Sequence, residues 1–376
     1  MSLMYRMGCW LFDHLLSLHS EELQLRYGDE MKLVFREQLL DARKKGPMAV
    51  ASVWRSVACE TISVAGPRYI GRLGLMALST FGASVLSIGF ALSFCSFGGV
   101  RVVHGCGPAE AAQSGAANSA IPGRLVAISQ GHYQGHKMFL ECTGESHQGP
   151  TVILATGRGI GSYQGWALVQ SRVAAFAHVC SYDPLGAGKS DHVPGTHPVS
   201  EVVEEMHDLF HSAQLPQPFV LVGASAGGVL IRHYEERYPS DVAGFVFVDS
   251  AHEEMEWRDA AIAPSFDPYW NNRQYLEENG LLPPQQRLAW HDDVPTIVLE
   301  RTDLPPCSAF PGLAQSQCDQ LNQAWQAFQI DLAHRSRYGQ LRPVAGSGHL
   351  MPQQKPEAIS QAVSDVIREI KRSPKR

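Results

Sequence analysis

Ser225 is the first side chain in this sequence equipped to do chemistry. It sits in Gly223-Ala224-Ser225-Ala226-Gly227, a G-x-S-x-G spacing. An apolar run, Phe219-Val220-Leu221-Val222, precedes it, and an amphipathic run, Val229-Leu230-Ile231-Arg232-His233-Tyr234, follows. That pattern predicts a strand, a tight turn and a helix. So sharp a turn leaves no room for side chains at the flanking positions and forces the serine into a strained backbone conformation. The strain lifts the hydroxyl clear of the sheet, at a helix N-terminus whose dipole favours developing negative charge. Such a turn serves nucleophilic attack on an acyl carbonyl. A glycine-rich turn in a non-catalytic α/β domain is the competing reading.

A serine nucleophile needs a base. His349 closes Gly346-Ser347-Gly348-His349, near the C-terminus and just before a helical stretch at 356–370. Small residues there let the imidazole lean over the C-terminal edge of a sheet, which singles it out among sixteen histidines. Two aspartates compete for the acid. Asp249 ends a strand at 244–248, and Asp303 follows the strand at 296–300. Either could fix the histidine tautomer and stabilise the imidazolium, and spacing alone does not separate them. The N–H of Ala226 and the backbone N–H of Arg158, in the glycine-rich loop after the strand at 151–155, are the expected oxyanion donors. That loop is no dinucleotide fingerprint, because Ser162 stands where the third glycine belongs. Nor is Gly186-Ala187-Gly188-Lys189-Ser190 a P-loop, since its first glycine would fall on Asp183.

From about residue 123 to the end, the chain resembles the α/β-hydrolase fold family. The resemblance rests on the serine turn, the strand at 138–144 before the oxyanion strand, and Asp183-Pro184-Leu185-Gly186-Ala187-Gly188-Lys189-Ser190, a D-x-x-G-x-G-x-S turn. It implies an α/β fold with a mostly parallel sheet flanked by helices, a short lid at about 251–293, and triad order Ser, acid, His. It implies no metal and no organic cofactor. The commonest acid position in the family suits Asp303, whereas a minority of members use the earlier strand end. Asp249 closes its strand directly and Asp303 lies three residues beyond Glu300, which favours Asp249. Two departures touch the turn's surroundings: Ala224 and Thr156 stand where many relatives carry histidine.

The expected activity is cleavage of a carboxylic ester through an acyl-enzyme, with a lipid ester, a lactone or an amide as alternative substrates. In the lid segment, Trp257, Phe266, Tyr269, Trp270 and Trp290 suit an apolar acyl or aromatic ester, unless they form lid core. Glu253, Glu254, Glu256 and Asp259 are expected to disfavour anions near the mouth. A non-catalytic binding protein of the same fold, or a transporter-associated scaffold, is the alternative.

The first third of the chain is organised differently. Residues 73–100 carry no charge, a stretch longer than the roughly 20 residues needed to cross a bilayer, and predict one transmembrane helix. Arg55, Arg68 and Arg72, with Arg43, Lys44 and Lys45 behind them, precede it, whereas only Arg101 follows before Arg124. The positive-inside rule then leaves 1–72 cytoplasmic and exports the hydrolase part. Within 1–72, Met31, Val34, Phe35 and Leu39 recur at helical spacing, Gly46-Pro47 is a break, and a second helix is expected at 48–64. Residues 21–31 are similar to a small helical domain preceding the first membrane helix of certain bacterial ABC-transporter permeases, which implies a membrane-protein partner. Residues 101–122 read as a linker rich in Ala, Gly and Ser.

A formal charge of −6 with no basic stripe argues against nucleic acid as a partner. Cys307 and Cys318 frame a short loop and are expected to bridge if exported. Cys142 and Cys180 lie in predicted strands and are expected to be buried, inert thiols. His132 and His136 flank Gly135 in a strand turn with no third ligand in view, so no metal site is expected there.

Overall fold

A computed structural model describes residues 123–155, 162–193, 197–264, 273–278 and 280–372, apart from 284–285, 287, 291, 308–309 and 311, together with scattered helical positions between 11 and 57. The expected span at 73–100, the linker at 101–122, most of 1–72, Arg158, Phe266, Tyr269 and Trp270 lie outside the described residues. Among the described residues no helix is long and apolar enough to cross a membrane.

The chain divides into two units, Met1–Leu25 with Gln38–Ser119 and Arg26–Glu37 with Ala120–Arg376. In the first, Gly46 lies outside helix and Pro47, Met48, Val50, Ala51, Val53 and Trp54 are helical. Proline at a helix start costs nothing, because its missing N–H would have been unpaired there anyway.

The second unit is built on an eight-stranded sheet of order β1-β2-β4-β3-β5-β6-β7-β8. Its strands are β1 (Arg124–Ala127), β2 (Lys137–Thr143), β3 (Thr151–Ala155), β4 (Val179–Asp183), β5 (Phe219–Ala224), β6 (Val242–Val248), β7 (Thr296–Arg301) and β8 (Gly339–Val344). The β1–β2 and β2–β4 pairs are antiparallel and the rest are parallel. The helices are α1 (Ser162–Val173), α2 (Val199–Ser212), α3 (Gly227–Arg237), α4 (Met255–Ile262), α5 (Arg273–Glu278), α6 (Gln315–His334), α7 (Met351–Gln354) and α8 (Pro356–Arg372).

The apolar runs that predict strands are covered on both faces, as a parallel sheet requires. Successive residues point to opposite sides. Val152, Leu154, Val220, Val222, Val246 and Val248 therefore pack with Trp166 and Val169 of α1 and with Ile359, Val363 and Val366 of α8. Ile153, Leu221, Phe245 and Phe247 pack the other way, with Leu209 and Phe210 of α2 and Ile231 and Tyr234 of α3. Each such buried side chain contributes about 1.5–3 kcal/mol. In α8, Ile359, Ala362, Val363, Val366 and Ile367 are buried, an i, i+3, i+4, i+7, i+8 stripe facing the sheet.

The strand order places the serine. The chain steps outward from β3 to β4, then crosses back to β5 on β3's other side. The crevice between β3 and β5 is thus a topological switch point, where open α/β sheets bind ligands at the strands' carboxyl ends. Ala155 pairs with Gly223, so the loop that follows β3 begins beside the serine turn.

Asp183, buried at the end of β4, organises its own turn. Its carboxylate accepts the Lys189 N–H at 2.9 Å, and Ser190 Oγ donates back to its carbonyl. Gly188 has φ +55°, and a Cβ there would overlap the Asp183 carboxylate, so the motif's second glycine is obligatory.

The cysteine expectation needs a correction. Cys142 and Cys180 are joined by a disulfide, Cα to Cα 4.1 Å. They are register partners across the antiparallel β2–β4 pair, where facing side chains come close enough to bridge. Cys307 and Cys318 are also bridged.

Candidate active site

Ser225 follows β5 with φ +52°, a left-handed conformation uncommon for any residue but glycine. The surrounding backbone holds it there: Ser225 N–H donates to Val248 O at 3.3 Å, and its carbonyl accepts from Gly228 and Ala251. A Cβ at Gly223 would press on the backbone of Gly227 and Gly228, so the turn and the start of α3 can approach only with glycine. Ala226 is the N-cap of α3, and its N–H has no acceptor among the described residues.

His349 enters from the loop after β8. Ser347 turns that loop on the Val344 carbonyl, and Gly346 and Gly348 donate their N–H groups to Thr302 Oγ1 and Gln354 Oε1. His349 Nε2 lies 3.0 Å from Ser225 Oγ, and its Nδ1 lies 2.5 Å from Asp249 Oδ2. With Nδ1–H donating to the carboxylate, Nε2 is left to accept the serine proton.

Of the two candidate acids it is Asp249 that meets the histidine. Asp249 follows β6 with φ +40°, so both Ser225 and Asp249 occupy strained backbone, which persists where the surroundings over-determine it. Asp303 is exposed and takes part through its backbone: its N–H donates to Ser347 O at 2.9 Å, anchoring the histidine loop.

Two residues that the sequence did not single out complete the acid's surroundings. Trp325 Nε1, from α6, donates to Asp249 Oδ1 at 2.8 Å, and Arg301 Nη1, at the end of β7, donates to Oδ2 at 3.2 Å. The guanidinium lies over the Trp325 ring, 4.5 Å from its centroid, a cation–π contact that fixes its orientation. The Trp325 ring edge also meets His349, centroids 5.7 Å apart. Burial alone would raise the Asp249 carboxyl; Arg301 and the hydrogen bonds from His349 and Trp325 outweigh it and hold the group below the ordinary carboxylate value. Burial, with Asp249 nearby, raises the neighbouring Glu300.

Two of the acids at the start of the lid segment, Glu253 and Glu256, do not line a mouth as expected. Glu253 is fully buried, 2.5 Å from Arg232 and 2.6 Å from Arg335, and Glu256 is buried too. A charge removed from water must be paired, and Arg232 supplies the pairing from inside α3. The aromatics divide. Trp257 Nε1 donates to Leu281 O, within the small cluster of Leu276 and Leu281. Trp290 stacks on Phe245 at 5.0 Å, on the main core. Both serve as core.

Comparison with known proteins agrees with the sheet. A family model described as alpha/beta hydrolase fold matches residues 150–286. An AB hydrolase superfamily protein of Gibberella zeae is 28% identical over 138 residues, 34% of this chain and 42% of that protein. A probable transporter, efuK, of Hormonema carpetanum is 29% identical over 125 residues, 31% of this chain and 18% of that protein. The chain thus spans less than half the length of these curated relatives. A thermophilic esterase from Thermogutta terrifontis superposes with a TM-score of 0.47 at 17% identity, covering 66% of this chain and 98% of the esterase. The resemblance of residues 21–31 to a permease domain finds no support in these comparisons. Sheet order, switch-point turn and family match together give this chain an α/β-hydrolase fold.

Proposed function

We propose that the chain is a serine hydrolase that cleaves a carboxylic ester through an acyl-enzyme. The fold and the family match support a hydrolase. The observation that carries the finer reading is the unbroken path from Ser225 Oγ through His349 to the buried Asp249. In this reading Ser225 Oγ attacks the acyl carbonyl while Nε2 takes its proton, and Asp249 stabilises the imidazolium. The carbonyl oxygen, now an oxyanion, is held by the Ala226 N–H and by a second donor, the Arg158 N–H, from the loop after β3. His349 returns the proton to the departing alcohol. Water then attacks the acyl carbon with His349 again as base, releasing the acid and restoring Ser225.

The hydrolase unit is tethered by residues 73–100 and lies on the exported side. The uncharged stretch, its flanking arginines and the two disulfides support this. The test is turnover of p-nitrophenyl esters by the detergent-solubilised full chain. Ser225→Ala is expected to lower kcat by about 10⁴-fold or more. A folded wild-type chain that turns over no ester in a panel of acyl lengths, or a Ser225→Ala chain as active as wild type, overturns the reading.

A further inference from the structure

Far from Ser225, three side chains converge that the proposed hydrolysis does not use. His207 and His211 stand one turn apart on α2, an i, i+4 spacing that puts both imidazoles on one face. Asp241 ends the 3₁₀ turn Pro239–Asp241 that leads into β6. The cluster therefore lies at the opposite end of the strands from the serine turn. His207 Nε2 and His211 Nε2 stand 3.7 and 3.5 Å from the same oxygen, Asp241 Oδ2, and one donor atom from each of the three residues lies within 4.8 Å of the other two.

We propose that His207, His211 and Asp241 bind a divalent transition metal, zinc first, with water completing a four-coordinate shell. Bonds of about 2.0–2.1 Å in a tetrahedron set donor atoms about 3.3 Å apart, so each histidine–aspartate separation has only a few tenths of an ångström to contract, while the two imidazoles, whose donors lie within 4.8 Å, draw together as the ion binds. Two imidazoles and one carboxylate are a donor set that suits zinc. The supports of a metal site are present as well. Tyr234 OH donates to Asp241 Oδ2 at 2.9 Å, which leaves that oxygen a lone pair for the ion. The Tyr238 ring stacks on His207, centroids 3.7 Å apart, and fixes the imidazole plane. Such outer partners orient the ligands of metal sites. Gln217 Nε2 lies 3.2 Å from His211 Nε2, so in the tautomer that leaves this nitrogen unprotonated the amide holds the place that the ion would take. Entry is open, because the His211 side chain is 47% exposed. Bound there, the ion ties α2 to the turn that starts β6. This site stands whether or not Ser225 is a nucleophile.

The experiment is titration of chelator-treated full chain with Co²⁺ and then Zn²⁺, following the visible absorption of tetrahedral cobalt and the shift in Tm. Wild type and Ser225→Ala are expected to take one equivalent with the tetrahedral spectrum, and zinc is expected to displace cobalt and raise Tm. His211→Ala and His207→Gln are expected to lose more than the about 10–100-fold in affinity typical of an outer-partner change, and to lose the Tm rise. Since His211 is half exposed, His211→Ala keeps its fold, and its metal-free Tm checks this. Absence of stoichiometric binding by wild type, or equal binding by a folded His211→Ala chain, overturns the assignment. So does binding that only a histidine elsewhere abolishes.

Discussion

Replacing Arg301 by glutamine removes a positive charge that opposes the imidazolium form of His349. Arg301 Nη1 and His349 Nδ1 bond the same oxygen, over 3.2 and 2.5 Å, so the two charges lie within the sum of those legs. At an effective dielectric of about 20, unit charges about 6 Å apart repel by about 3 kcal/mol, equivalent to about 2 pK units. Without Arg301 the imidazolium is favoured, and the base is protonated at a higher pH. The Asp249 carboxyl also rises towards its ordinary value and takes back part of the effect. The acid limb of kcat/KM against pH is therefore expected to move up by about 1–2 units. Arg301→Lys keeps the charge and is expected to hold the limb near its wild-type position. Breaking a buried pair also costs about 3–5 kcal/mol of stability, with the lower end expected because Trp325 and His349 still bond Asp249. The assay is p-nitrophenyl acetate turnover across the acid range, with Tm confirming that each variant is folded. A limb that stays in place, or moves down, in folded Arg301→Gln refutes the reasoning.

Three further outcomes follow from the same contacts. Asp249→Asn is expected to lower kcat by about 10⁴-fold, and Asp303→Asn to change it by only a few fold, because Asp303 anchors the loop through its backbone; the reverse ranking in steady-state kinetics would make Asp303 the acid. Cys142→Ser with Cys180→Ser opens a bridge between residues 38 apart, so stability should fall by about 4 kcal/mol on the chain-entropy account, read as a lowered Tm under non-reducing conditions; an unchanged Tm would contradict it. Burial would raise the Glu253 carboxyl, but Arg232, His252 and Arg335 prevail and hold it down at about 2. A depressed folded-state value means that its stabilising effect is complete above the unfolded value of 4.5 and is lost as pH falls towards about 2. Urea melts of Glu253→Gln should therefore show a lower plateau and a flatter acid decline than wild type; parallel curves would show that the carboxylate is not responsible.

The central strands were legible because both their faces are buried. Runs such as Phe219-Val220-Leu221-Val222 need no partner to be recognised, and β5, β6 and β7 fall where those runs predict. Ser225 was legible because the strain of its turn is written locally, in the glycines beside it. The acid was not, since the choice between Asp249 and Asp303 depends on how far the loop after β8 leans back over the sheet. Arg301 and Trp325 left no local sign: one ends a strand, the other lies on a helix, and only the packing of α6 against β7 brings them to Asp249. The same limit hid the Cys142–Cys180 bridge, which depends on β2 pairing with β4 in one register. It also misplaced Glu253, because a run of glutamates reads as solvated surface until Arg232 and Arg335 are seen beside it. The His207–His211 spacing was present in the sequence, but its third member, Asp241, is delivered by the turn after α3.

The central claim is that Ser225 is an activated nucleophile. Its most direct test is labelling of the full chain with a fluorophosphonate probe, followed by mapping of the modified peptide. The account predicts one adduct, on Ser225, that is lost in Ser225→Ala and strongly slowed in His349→Ala. A folded chain that takes no label, or takes it on another residue, would contradict it.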